Sequence, residues 1–89
     1  MNHVIKRKGH TESYDERKVY ASVYASCMTL RMTDEEAEAI ATMVSEEVTS
    51  AVNEHKEMSS HNLHQHITKS LKKYHPDAAY MYETHKDIL

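Results

Sequence analysis

The chain has one glycine, one proline and one cysteine in 89 residues, and no phenylalanine or tryptophan. So little glycine and proline leaves little room for linkers or disordered spacers. A lone glycine also excludes the Gly-x-x-x-x-Gly-Lys loop that cradles phosphates in nucleotide hydrolases. A single cysteine, Cys27, excludes an internal disulfide and a cysteine-rich zinc site. Set among apolar residues, it reads as a buried, inert thiol. No apolar run is long enough to span a membrane. Asn2, His3 and Lys6 to Lys8 followed by polar residues do not make a signal peptide, so a cytoplasmic protein is the simplest inference. The formal net charge is −3 with histidine neutral. That weighs against nucleic-acid binding driven by bulk charge.

What is present fits one small helical domain over residues 1–89. Hydrophobic residues make up 39% of it, with six Met and six Tyr, so the core is modest and the stability correspondingly marginal. Two short strands, within residues 3–14, flank Gly9 as a hairpin. A lone hairpin is not stable in water and must pack on helices. Asp15 is a good N-cap for a first helix over about residues 16–30. That helix holds Val-Tyr-Ala-Ser twice, Val19 to Ser26, which stacks Val19 on Val23 and Tyr20 on Tyr24. Thr33 and Glu36 form a capping box for a second helix over about 34–55. Ala37, Ile40, Ala41, Val44, Val48, Ala51 and Val52 give its buried period. Ser59 or Ser60 caps a third helix, about 60–74, with Leu63, Ile67 and Leu71 as its stripe. Pro76 suits the first turn of a fourth, about 77–88, carrying Ala79, Tyr82 and Ile88 inward. The fold class expected is mainly α (α+β), a β-hairpin followed by a four-helix bundle.

The first eighteen residues carry the chemistry. A basic strand with Lys6, Arg7 and Lys8 turns at Gly9, and a second strand runs through Glu12 into a helix start bearing Lys18. Cations beside a helix N-terminus can seat a phosphate-bearing ligand. Alternation puts Lys6 and Lys8 on one face and Arg7 on the other, so at most two of the three meet one ligand. The competing reading is a solvated strand edge protected by charge. Lys18 lies in the first helical turn, where a cation opposes the helix dipole; a ligand phosphate or Glu12 would offset that.

The succession Val4-x-Lys6-Arg7-x-Gly9, then Tyr14-Asp15, then Lys18-Val19, resembles the opening of the ATP-cone, the nucleotide-sensing domain at the front of many ribonucleotide reductases. Ser60 with Leu63-His64 is similar to that family's Thr/Ser-x-x-Ile/Leu-His segment. Ala79-Tyr80-Met81-Tyr82 with Lys86 is similar to its closing Ala-x-x-Tyr-x-x-x-Arg segment. The resemblance covers essentially the whole chain. It implies a hairpin packed over a four-helix bundle and a regulatory, non-catalytic role. The effector would be ATP or dATP, with or without Mg2+. Carried over by position, Lys6 and Arg7 meet the nucleotide from the first strand. Glu12, Tyr14, Asp15, Lys18 and Val19 wrap base and sugar, and Ser60 and His64 sit by the phosphates. The implied partners are a ribonucleotide reductase or another regulated protein, and further copies of the chain in a homo-oligomer. The domain is read as free-standing, with an excised domain as the alternative. Lys8 stands where the family usually has Asp, and the fourth helix ends in Asp87-Ile88-Leu89, with Lys86 its nearest cation. These departures favour the rival reading, a helical protein-interaction module of the same fold that has lost its nucleotide. A third, weaker rival is nucleic-acid binding through Lys6 to Lys8 with tyrosine stacking.

The remaining features have ordinary readings. His61 and His64 share a helix face, but His66 lies about 140° from His61, so the three do not converge on one metal ion. His3, His10, His55, His75 and His85 read as exposed. Tyr20, Tyr24, Tyr74, Tyr80 and Tyr82 read as core and core edge, and only Tyr14 as a wall for a base. The Met residues read as adaptable packing. Glu35 to Glu38 and Glu46-Glu47 read as a solvated face of helix two. No strained nucleophile elbow or oxyanion hole is visible, which argues against an enzyme.

Overall fold

The computed structural model describes residues 11–85 and the backbone of residues 3–5. The strand β1 (His3–Ile5) pairs antiparallel with β2 (Thr11–Ser13). Four helices follow: α1 (Glu16–Met28), α2 (Asp34–Asn53), α3 (Ser60–Tyr74) and α4 (Pro76–His85). The fold is mainly α, with N-terminal strands on a helical bundle. A third strand, β3 (Glu57–Ser59), runs parallel to β1, so the sheet order is β2-β1-β3. β3 is not legible as a strand in the sequence. The turn expected at Gly9, and Ile88 at the end of the fourth helix, lie outside the described residues.

The helix starts are chemically determined. The Asp15 carboxylate accepts the Arg17 N–H at 2.9 Å. Thr33 Oγ1 accepts the Glu36 N–H at 3.2 Å and donates to the Glu36 carboxylate at 3.0 Å. The box thus closes hydroxyl to carboxylate. Ser59, not Ser60, caps α3: its hydroxyl accepts the Asn62 N–H at 3.0 Å. His75 differs from its expected exposed role. It is half-buried, and its Nδ1 accepts the Ala78 N–H at 3.2 Å, the work of an N-cap for a helix whose first residue is Pro76. His85 is also half-buried, with Nδ1 3.0 Å from the Met81 carbonyl oxygen.

Each helix packs on two others, α1 on α2 and α4, and α3 on α2 and α4. The core is built from small side chains because the sequence offers no Phe or Trp. Val19, Val23 and Cys27 of α1, the Val44-Val48-Val52 ladder of α2 and Ile67 and Leu71 of α3 belong to one buried cluster. Tyr82 of α4 is the bulkiest fully buried side chain. Burial pushes the Cys27 thiol above its ordinary range, as an inert thiol requires. Tyr20 and Tyr24 stack with ring centroids 6.3 Å apart and planes within 9°, the contact the Val-Tyr-Ala-Ser duplication sets up. Met58 of β3 is buried and fastens the sheet to this core.

Candidate functional site

β1 is the middle strand. Its last residue, Ile5, is aligned with Thr11 of β2 on one side and with Ser59 of β3 on the other. Ser59 is also the cap of α3. The parallel pairing therefore delivers the end of β1 to the start of α3. The backbone donors and the positive end of the helix dipole gather there. Two strand spacings, about 10 Å, separate β2 from β3 across β1.

On the α3 side, Ser60 is the first helical residue and His64 follows one turn later on the same face. His64 is half-buried. Its Nδ1 lies 2.5 Å from the hydroxyl of Tyr82, which projects from α4. The two rings are tilted by 47° with centroids 5.9 Å apart.

On the β2 side, Glu12 is aligned with Val4, and its carboxylate is 3.9 Å from Lys18 Nζ. This pair offsets the cost of a cation in the first turn of α1. Both side chains are exposed, so the pair is a weak one. Tyr14 leaves β2 toward α2, where its hydroxyl is 2.9 Å from Thr49 Oγ1. Partial burial raises the Tyr14 phenol above its ordinary value. Asp15 caps α1 and takes the Arg17 guanidinium through both oxygens, at 3.1 and 3.2 Å. The hydrogen bonds from the Arg17 side chain and N–H hold its carboxyl below the usual range. Val19 is in the core. Asp15 and Val19 thus carry the cap and packing tasks that the sequence reading assigned to them, and Tyr14 carries one, its tie to Thr49, that it did not assign. Lys6 and Arg7 lie outside the described residues; Lys6 is the residue after Ile5.

A second polar cluster joins α2 to α3. Glu47 accepts from Ser70 Oγ at 3.0 Å and from the Tyr74 hydroxyl, and pairs with Lys73 Nζ at 2.7 Å. Lys73, with Tyr74, holds the Glu47 carboxyl below its ordinary value, and Glu47 in turn raises the Tyr74 phenol. This corrects the expectation that Glu47 belongs to a solvated face. Ser70, Lys73 and Tyr74 at i, i+3 and i+4 were the readable signal. The adjoining cavity, about 200 Å3, is lined by Glu47, Val48, His66, Lys69, Ser70 and Lys73. It is below the usual span of small-molecule clefts, about 300–1,000 Å3, and the polar groups in it tie helix to helix. Among the described residues, no three His, Cys, Asp or Glu side chains group to hold a metal ion.

The family model of the ATP cone domain matches residues 2–86. The chain belongs to the ATP-cone family. No curated protein matches it in sequence. ATP-cone domains are regulatory modules that bind ATP or dATP as effectors and do no chemistry on them. In this ATP-cone, no helix among the described residues is long and apolar enough to cross a membrane.

Proposed function

We propose that this ATP-cone domain binds an adenine nucleotide, ATP or dATP, with or without Mg2+, across the end of β1 and the start of α3. Occupancy then sets how the domain associates with a ribonucleotide reductase or other regulated protein, or with copies of itself, in the cytoplasm. The observation that supports this reading most directly is the register of β1, with Ile5 opposite the cap residue Ser59. Lys6 and Arg7, next in sequence, supply positive charge to the phosphates. Ser60 and the amides of the first α3 turn supply donors, with His64 one turn further along. Lys18 adds a cation from the β2 side. Glu12, Tyr14 and Asp15 bound the base and sugar, and Val19 forms apolar floor beneath them.

The chemistry is reversible binding. A nucleotide moves an association equilibrium by no more than its difference in affinity for the two states. Calorimetric titration of ATP into Lys6→Ala and Lys18→Ala tests the assignment. Each is expected to weaken binding about tenfold or more, since a charge-assisted phosphate contact is removed. Circular dichroism should show both variants folded. Parental affinity in both would sink the site assignment.

A further inference from the structure

We infer that Tyr82 is a positioning residue of the nucleotide site: its hydroxyl donates to His64 Nδ1 and so holds the proton of His64 on Nε2, as a donor for a phosphate oxygen. The inference rests on the reading above that His64 sits by the phosphates.

Tyr82 is 1% exposed, and its ring is locked in the core among the helices. Its hydroxyl is therefore fixed by packing before any ligand arrives. The base of α4 is fixed too, by Pro76 and by the His75 bond to the Ala78 N–H. The contact from Tyr82 Oη to His64 Nδ1, at 2.5 Å, is short and crosses from α4 to α3. An imidazole nitrogen is a better acceptor than a phenolic oxygen, so the favoured arrangement is O–H donating to Nδ1. In a neutral imidazole the other nitrogen then carries the hydrogen. Phosphate oxygens only accept, so this tautomer is the one that suits them. Without the hydroxyl, Nδ1 loses the donor that keeps it an acceptor.

A core tyrosine satisfied by a nearby histidine would look similar, and a double-mutant cycle separates the two cases. Tyr82→Phe keeps the ring and removes the hydroxyl; His64→Ala removes what the hydroxyl acts through. Affinities for ATP and adenosine are measured by calorimetry in the parent, both single variants and the double variant. The imidazole tautomer is read in parent and Tyr82→Phe by long-range proton–nitrogen NMR. The expected result is an Nε2–H tautomer in the parent and a mixture in Tyr82→Phe. ATP affinity should fall about two- to threefold in Tyr82→Phe, in proportion to the share of His64 that leaves the Nε2–H form, with adenosine affinity unchanged. In the His64→Ala background the Tyr82 change should have no further effect on ATP.

Equal losses for ATP and adenosine, or a full Tyr82 effect without His64, would overturn the inference. So would an Nδ1–H parent, or unchanged ATP binding in Tyr82→Phe. A parent that binds no ATP overturns the proposed function itself, and the phosphate role of His64 with it.

Discussion

Ile5, the last residue of β1, is paired in parallel with Ser59, whose hydroxyl caps α3 by accepting the Asn62 N–H at 3.0 Å. Strand end and helix start are thereby one structure. Of the neighbouring serines, Ser59 has the structural task, and the proposed site gives Ser60 the one directed at a ligand.

That division is testable. Ser59→Ala loses a helix cap and is expected to cost about 1 kcal/mol. For a domain of this size that is a drop of about 4–8 °C in melting temperature. Ser60→Ala should stay within about 0.5 kcal/mol of the parent in stability, as surface changes usually do, while binding ATP more weakly. Thermal melts and calorimetry on the two variants check this. Equal destabilisation by both, with ATP affinity unchanged in Ser60→Ala, would contradict it.

Glu47 gives a pH prediction. Its folded carboxyl lies below the ordinary value of 4.5 because Lys73 and Tyr74 favour the charged form. A depressed folded value means the stabilisation is complete above the unfolded value and is lost as pH falls through the folded one. Glu47→Gln is therefore expected to be less stable than the parent at pH 7, by about 1 kcal/mol at most for so accessible a cluster. The gap should close as the pH falls below about 4.5. Urea melts of both proteins from pH 7 to pH 3 measure it. A constant gap over that range would show that the charge of Glu47 contributes nothing.

Where the sequence was legible, local chemistry decided the structure. Asp15 and Thr33 are short polar acceptors placed ahead of apolar periods, and each caps its helix. The Val44-Val48-Val52 ladder is buried as its spacing requires. The parts that escaped are those made by distant partners. Glu57-Met58-Ser59 has no strand character of its own, and it becomes β3 only because β1, more than fifty positions earlier, lies beside it. Glu47 resembles any glutamate on an acidic helix until α3 brings Ser70, Lys73 and Tyr74 against it. His75 is a rare cap, although its place before Pro76 was a usable sign. For the candidate site, the residue types and the Glu12–Lys18 pair were visible, and the other connections were not. Nothing in the sequence reveals that Tyr14 would be tied to Thr49, or Tyr82 to His64.

The most direct test of nucleotide binding is a thermal-shift titration of the protein with ATP, dATP, GTP and tripolyphosphate, with magnesium and an ionic-strength control. A ligand at about 100 times its dissociation constant adds roughly 2.7 kcal/mol of stability. In a domain this small that is a rise of about 10–20 °C. The expected result is such a rise for ATP or dATP and a clearly smaller one for GTP and tripolyphosphate. No shift with any nucleotide at millimolar concentration would contradict the account and leave the helical interaction module as the function of this fold.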